Sequence, residues 1–241
     1  MTDYSSVLLL ALLPTLGNFA GGVVAELVET SPRMLSRALH VAAGVVSAVV
    51  AVELMPTALS GGASIWAIVL ALLAGGGFYM LLEMSVDRLV DGDRADASMV
   101  YAAVGVDLFA DGLMIGVGSV VSFSLALILA VGQLLADFPE GFAAIANLRS
   151  NGVRRFWRLT LAGSFIVFCL LGATIGYWLL RGQSEALKLS ALAFTAGILQ
   201  IAAVEDLMKE AHEAAEDTRW SSIFFIGGFA LFTALTGYFD H

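Results

Sequence analysis

Charged side chains are scarce in this chain. Of its 241 residues, 14% are charged and 59% are hydrophobic, and the mean hydropathy is +0.88. Since about 25% of the residues of a soluble globular domain are charged, this composition cannot form a water-facing surface. The net charge of −9 is opposite in sign to a nucleic-acid-binding surface. We therefore expect a membrane protein in contact with the lipid bilayer, and no nucleic-acid partner.

Cysteine and catalytic motifs are also nearly absent. The single cysteine, Cys169, lies in an apolar run, where it cannot form an internal disulfide and acts as a small hydrophobic side chain. The first apolar stretch carries Asp3 instead of a basic segment and is too long for a signal peptide. The sequence has no nucleophile–histidine pair, P-loop or cofactor motif, so we expect neither an enzyme nor a bound cofactor.

Apolar runs of about 20 residues, enough to cross ~30 Å of hydrocarbon, recur along the chain. The sequence therefore predicts an all-α polytopic membrane protein with a single transmembrane domain, residues 1–241. Its eight predicted transmembrane helices occupy approximately residues 5–28, 38–59, 64–85, 99–121, 123–147, 157–180, 186–207 and 221–239.

Basic residues in the loops predict the orientation, because cytoplasmic loops are enriched in Lys and Arg. With the N-terminus outside, only Arg181 and Lys188 fall on the outer side. We therefore predict a multi-pass protein of the cell (plasma or inner) membrane with both termini extracytoplasmic. The basic residues then on the cytoplasmic side are Arg33, Arg37, Arg88, Arg94, Arg149, Arg154, Arg155, Arg158, Lys209 and Arg219.

The second and seventh predicted helices resemble each other without a gap. Glu53 matches Asp206, and Ala43, Gly44, Leu54, Met55 and Ala58 match Ala196, Gly197, Leu207, Met208 and Ala211. In the predicted topology these helices run in opposite directions, as in the inverted repeats of transporters. We therefore predict a 3+2+3 arrangement, with repeat unit 1 at about 5–85, a central hairpin at about 99–147 and repeat unit 2 at about 157–239. The alternative is chance similarity between two Ala/Gly-rich helices.

Four acidic residues lie in the two middle helices. Asp107 and Asp111 are four residues apart, and Asp137 and Glu140 are three apart, so each pair shares one helix face. A turn near Ser122 makes the two helices an antiparallel hairpin. At ~1.5 Å per residue, all four side chains then lie roughly 16–27 Å from the turn, inside the bilayer.

Carboxylates at this depth need compensation. A central Asp costs roughly 2.5–3.5 kcal/mol, and there is no Lys or Arg between residues 107 and 140. A bound divalent cation, or protons retained on the carboxyl groups, must neutralise this negative charge. Metal ligands have to be deprotonated, whereas clustered carboxylates without a metal hold protons, so this site can exchange metal for protons. The alternative is a structural role as protonated tethers between helices.

Neighbouring residues have two interpretations each. Gln133 is a candidate outer ligand or makes a plain interhelical hydrogen bond, and Met114 lines the site or belongs to the core. Gly112 and Gly141 are typical of close helix packing, and we expect them to bring the two carboxylate pairs together.

Two motifs resemble those of the ZIP (Zrt/Irt-like protein) divalent metal transporters. Phe109-Ala-Asp111-Gly112-Leu-Met-Ile-Gly116 is similar to the family's fourth-helix motif, and Asp137-Phe-Pro139-Glu140-Gly141 to its fifth-helix motif. The resemblance implies a metal centre formed by Asp107, Asp111, Asp137 and Glu140, with Zn²⁺, Fe²⁺ or Mn²⁺ as transported substrate. It also implies a homodimer, and movement of helices 1, 4, 5 and 6 against helices 2, 3, 7 and 8.

The chain departs from the family pattern by having few histidines. Asp107-Leu108 replaces the usual His-Asn, Ala136 replaces a His or Gln, and an apolar residue near Ile166 replaces a glutamate of the sixth helix. The loop after the third helix offers Asp91, Asp93 and Asp96 instead of histidines. An all-oxygen site favours Mn²⁺ or Fe²⁺, or broad selectivity, and Zn²⁺ remains compatible because carboxylates also bind it.

Further acidic residues lie at helix ends. Glu53 is predicted near the outer end of the second helix, and Glu205, Asp206 and His212 near the inner end of the seventh. They are candidates for an access and release path, the alternative being solvated helix ends. For Glu210 and Glu213 the solvated interpretation is favoured.

The sequence thus predicts a transporter for uptake of a divalent metal cation through an intramembrane carboxylate site. The alternatives are a degenerate ZIP-like protein that binds metal or protons without transport, as a sensor or subunit, and an uptake system for another cation or small solute.

Overall fold

A computed structural model describes residues 2–29, 31–89, 95–215 and 220–239, with the backbone only for 86–89, 95–99 and 239. Within these ranges it is all-helical, and eight helices are long and apolar enough to cross a membrane, as predicted. They are α1 (Tyr4–Leu27), α2 (Pro32–Leu59), α3 (Ile65–Leu89), α4 (Ala95–Val121), α5 (Phe123–Ser150), α6 (Arg155–Leu180), α7 (Glu185–Ala214) and α8 (Ser221–Phe239).

Some predicted helix bounds are wrong because hydropathy does not detect polar helical turns. Helix α2 begins at Pro32 instead of residue 38, and the Ser31 hydroxyl caps it by accepting a hydrogen bond from the Met34 amide at 3.2 Å. Helix α4 begins at Ala95 instead of 99, and α7 continues to Ala214 instead of ending at 207. Helix α4 is therefore longer at its start, and α7 longer at its end, than the sequence indicated.

The turn between α4 and α5 lies where the sequence places it. Ser122 is extended, and its hydroxyl accepts a hydrogen bond from the Leu125 amide at 3.0 Å, which starts α5. Helix α5 then continues without interruption through Pro139. The two acid-bearing helices are thus neighbours in an antiparallel hairpin.

Helix packing has an internal symmetry. The most extensive helix pairs are α1 with α5, α4 with α6, α2 with α7, α3 with α7, and α2 with α8. Exchanging α1 with α6, α2 with α7, α3 with α8 and α4 with α5 converts this set of pairs into itself. The packing is therefore consistent with the 3+2+3 inverted repeat, whose unit boundaries stay a prediction.

Helices α2 and α7 share a further feature. Each contains a π-helical segment, Val49–Leu54 in α2 and Ala203–Met208 in α7, and the aligned residues Glu53 and Asp206 lie within these segments. Short π-helical segments widen a helix locally and frequently occur at functional sites. The similarity of the two helices therefore extends from sequence to an unusual backbone geometry.

An ion pair connects the end of α1 to the start of α6. The Arg158 guanidinium donates to the Glu26 carboxylate, with Nη2 2.8 Å from Oε2, and both side chains are largely buried. Arg149 of α5 donates to the Ala25 carbonyl oxygen at 3.2 Å. Two of the basic residues that predicted the orientation, Arg149 and Arg158, therefore also connect α5 and α6 to α1.

Candidate metal site

Three carboxylates from α4 and α5 meet inside the helix bundle. One oxygen each from Asp107, Asp111 and Asp137 lies within 4.8 Å of the others, and we call these three residues the carboxylate cluster. Asp111 and Asp137 are almost completely buried, whereas Asp107 is partly exposed. Glu140 lies one turn beyond Asp137 on α5 and is not part of this cluster. The structure thus brings three of the four predicted residues together, and their role as metal ligands stays a prediction.

Several oxygens of this site have no hydrogen-bond donor. The Gln133 amide donates to one oxygen of Asp111, but Asp111 Oδ2, Asp137 Oδ2 and Gln133 Oε1 are buried without a hydrogen-bond partner among the described residues. An unpartnered buried oxygen is costly, and more so when charged. A cation bound between the carboxylates would satisfy these atoms, so the donor set fits a hard or borderline divalent metal ion.

An acidic cavity of about 330 Å³ lies next to the cluster, at the end of the bundle where α5 and α7 end and α4 begins. Glu140 is part of both the site and this cavity. The predicted orientation puts the cavity on the cytoplasmic side. The charged residues in its wall are Glu83, Glu140, Glu205, Asp206, Lys209, Glu210 and Glu213.

Comparison with models of protein families identifies the family of the chain. A model of the family described as ZIP Zinc transporter matches residues 83–236, which is well over half of the chain and includes every residue of the carboxylate cluster. The chain belongs to the ZIP family. At the level of the family it is therefore a multi-pass membrane transporter of zinc or other divalent metals. A search of curated proteins found no match.

The glycines around the candidate metal site of this ZIP protein correct one expectation. A Cβ on Gly112 would collide with the Cys169 carbonyl oxygen of α6, and one on Gly141 with the Asn18 carbonyl oxygen of α1. These glycines therefore let α6 and α1 pack closely on the outside of the hairpin. The expectation that they bring the two carboxylate pairs together is wrong.

Gln133 and Met114 have different positions. Gln133 connects α5 to α4 through its hydrogen bond to Asp111, which is the interhelical hydrogen bond of one interpretation, and its role as an outer ligand stays a prediction. Met114 is fully buried in the hydrophobic core cluster that also contains Val49, Leu129 and Leu199. Its position agrees with the core interpretation.

The acids at the inner end of α7 lie on the cavity wall. Glu205 and Asp206 do so as a path would require, and Glu210 and Glu213 also line the cavity, with Glu213 exposed to solvent as its favoured interpretation expects. Glu53 is buried in the π-helical segment of α2, and its place on an outer path stays a prediction. Asp91 and Asp93 lie outside the described residues, as does the side chain of Asp96.

Sequence reasoning missed Tyr79. Its hydroxyl donates to the Asp206 carboxylate, its ring is 3% exposed, and it lines the acidic cavity together with Glu83. Tyr79 and Glu83 are four residues apart on α3, which carries no charged residue before Glu83, so they share one face. The four-residue spacing of Tyr79 and Glu83 was the sequence feature from which this polar face could have been predicted.

Proposed function

We propose that this ZIP protein carries a divalent metal ion across the membrane through the carboxylate cluster together with Glu140. The observation that carries the proposal is the approach of three carboxylate oxygens from α4 and α5 to within 4.8 Å of one another. Unpartnered oxygens on Asp111 and Asp137 provide ligand atoms for the ion. Gln133 acts as an outer ligand by fixing the orientation of Asp111.

The donor set indicates the class of ion. Carboxylate and amide oxygens suit Mn²⁺ and Fe²⁺, while imidazole-rich sites suit Zn²⁺ better. Zn²⁺ is also bound by carboxylates, so we propose broad transport of Mn²⁺, Fe²⁺ and Zn²⁺. When the metal leaves, protons neutralise the buried carboxylates, because several bare charges at this depth are too costly.

The acidic cavity provides the release path. An ion leaving Asp107 meets Glu140, which belongs to the cavity wall, and then Asp206 and Glu205. Since the cavity is on the predicted cytoplasmic side, the direction is uptake, which the inward-negative membrane potential favours by ~2.3 kcal/mol per charge per 100 mV. We also propose that the protein is a homodimer in the cell membrane, with both termini outside.

Metal flux into proteoliposomes tests this function. The parent protein should transport Mn²⁺, Fe²⁺ and Zn²⁺, and Asp137→Ala should abolish flux because it removes a buried ligand. Glu185→Gln is the control, since Glu185 is an exposed carboxylate at the start of α7, away from the cavity, and should transport like the parent.

Two outcomes contradict the proposal. Transport by Asp137→Ala at the rate of the parent would mean that the ion does not pass through the cluster. Metal binding by the parent without any flux would instead indicate a non-transporting sensor or subunit.

A further inference from the structure

The similarity of the two halves of the chain extends to individual backbone contacts. In each of the helix pairs α2–α8 and α7–α3, two glycines lie against backbone carbonyl oxygens of the partner helix. One constant shift along the chain converts the contacts Gly44 with Phe225 and Gly228 with Val41 into the contacts Gly197 with Leu72 and Gly75 with Phe194. The same shift relates Glu53 to Asp206, so it identifies equivalent residues of α3 and α8.

By this shift Tyr79 of α3 is equivalent to Phe232 of α8. Both residues are buried, with 3% and 0% of their surface exposed. Tyr79 belongs to a core cluster with Ala110 of α4 and Ala202 of α7, and the Phe232 ring lies beside Gly132 of α5. Each ring thus packs against the central hairpin in its own half, and the two residues differ by one hydroxyl group.

The additional hydroxyl of Tyr79 donates a hydrogen bond to the Asp206 carboxylate. Asp206 is half-buried in the π-helical segment of α7 and lies on the wall of the acidic cavity, whereas His212, farther along α7, lines a second cleft. The equivalent Glu53 cannot receive this hydrogen bond from Phe232, which has no hydroxyl. The two halves therefore differ at this point, and the hydroxyl is in the half that lines the cavity.

Packing alone does not account for this hydroxyl. Phe232 fills the equivalent position as a purely apolar ring, and a buried hydroxyl is costly unless it is hydrogen-bonded. Tyr79 also occupies a place on the proposed path. Its core cluster includes Val106 and Ala110, which directly precede two carboxylates of the cluster in the sequence, and Tyr79 lines the cavity as well.

A hydrogen bond to a carboxylate changes how that group binds a cation. The Tyr79 hydroxyl donates to Oδ2 of Asp206, which fixes the orientation of the carboxylate and occupies a lone pair that an ion could use. The donated hydrogen also offsets part of the negative charge. Asp206 is therefore a weaker ligand than a carboxylate that is free to turn.

We propose that Tyr79 is a positioning residue of the release path, holding Asp206 as an oriented and weak ligand for the ion that leaves the carboxylate cluster. The inference rests on the proposed transport function and concerns its release step. Without the hydroxyl, Asp206 turns freely and retains the ion longer, so the hydroxyl speeds release into the cavity.

Initial rates of Mn²⁺ flux into proteoliposomes, measured over a range of Mn²⁺ concentrations, test this role. Tyr79→Phe keeps the ring and reproduces the residue of α8. We expect its maximal rate to fall by about tenfold, the factor that one hydrogen bond to a charged group is worth. The apparent KM should fall as well, because slower release lowers both quantities, whereas a general loss of folded protein lowers the rate alone.

Tyr177→Phe is the matched control. Tyr177 is also 3% exposed, and its hydroxyl donates to the Thr2 carbonyl oxygen at 3.2 Å, away from the cavity wall. This variant loses a buried tyrosine hydroxyl of the same kind and should keep the maximal rate and KM of the parent.

A double-mutant cycle determines whether the hydroxyl acts through Asp206. Asp206→Ala/Tyr79→Phe should have the kinetics of Asp206→Ala alone, since the hydroxyl then has no carboxylate to hold. Independent effects of the two substitutions would overturn the proposal, as would a maximal rate and KM of Tyr79→Phe equal to those of the parent. If Asp137→Ala has lost flux in the same experiment, such a result removes the role of Tyr79 and leaves the transport function intact.

Discussion

The carboxylates of the site differ in their neighbours and in their contact with solvent. Asp111 is enclosed and receives a hydrogen bond from Gln133, and Asp137 is enclosed with an unpartnered oxygen. Asp107 is partly exposed, and Glu140 reaches the cavity wall. Exposure thus increases from Asp111 and Asp137 towards the cavity, which is the gradient that the proposed release path requires.

Asp107 is the position at which ligand chemistry can be changed with least disturbance, because it is the least enclosed member of the carboxylate cluster. Asp107→His replaces an oxygen donor with an imidazole nitrogen, and we expect it to shift preference from Mn²⁺ towards Zn²⁺. Competition of the two ions for flux into proteoliposomes measures the shift. Asp107→Glu, which keeps a carboxylate, is the matched control, and an unchanged ranking in Asp107→His would contradict an oxygen-donor site.

Protons compete with metal for the same carboxylates. Since a carboxylate binds metal only after losing its proton, we expect the apparent affinity for Mn²⁺ to fall as pH decreases. Calorimetric titration in detergent over a series of pH values measures this dependence. Asp111→Asn/Asp137→Asn should bind weakly at every pH, and an affinity of the parent that is indifferent to pH would rule out proton exchange at these residues.

Glycines determine how closely the helices approach. On α2 and α7 the aligned residues Gly44 and Gly197 each face a backbone carbonyl of a neighbouring helix, that of Phe225 and that of Leu72, respectively. On α8, Gly228 faces the Val41 carbonyl of α2. Helices in a bilayer associate mainly through close packing of this kind. The helix pairs that define the fold therefore depend on glycine, whose lack of a side chain allows the two backbones to approach.

Two adjacent glycines of α8 give a matched test of this packing. Gly228→Ala would place a methyl group against the Val41 backbone, whereas Gly227→Ala meets no other described atom within 4 Å. We expect Gly228→Ala to lower the free energy of unfolding by about 1–3 kcal/mol. Gly227→Ala should be neutral or stabilising by up to ~1 kcal/mol, because Ala favours the helix.

Unfolding in detergent, followed by loss of helical circular dichroism, measures both changes. Equal destabilisation by the two substitutions would show that α8 does not pack on α2 as described.

The outer surface of the molecule agrees with a lipid environment. Large apolar side chains are exposed on α3 and α8, among them Leu73, Leu81 and Ile226, as expected for helices that face hydrocarbon. The acidic cavity lies at one end of the bundle, so the direction of the proposed transport depends on which side of the membrane this end faces.

Cysteine labelling determines that side. Cys169 is completely buried and should not react in the parent. We expect Gln183→Cys, between α6 and α7, to react with a membrane-impermeant maleimide added to intact cells. Asn151→Cys, between α5 and α6 and exposed, should react only after permeabilisation, and the opposite pattern would invert the orientation and place the cavity outside.

The amino-acid sequence by itself determined the eight helices, the hairpin at Ser122 and the pairing of acids on one face of α4 and of α5. These features depend on hydropathy and on helical periodicity, which are properties of neighbouring residues. A repeat is detected by aligning the chain with itself. The sequence alone therefore also matched Gly44 with Gly197 and Glu53 with Asp206. The polar turns at the ends of α2, α4 and α7 escaped the same reasoning, since hydropathy does not detect helical residues that are polar.

Only the tertiary structure decided which distant side chains meet. Tyr79 with Asp206, Arg158 with Glu26, and His40 with His212 are contacts between helices far apart in sequence. The structure likewise showed that Gly112 and Gly141 face α6 and α1, and that Glu140 belongs to the acidic cavity. Periodicity assigns a residue to a face of its own helix, but the helix that covers this face is set by the packing of the whole bundle.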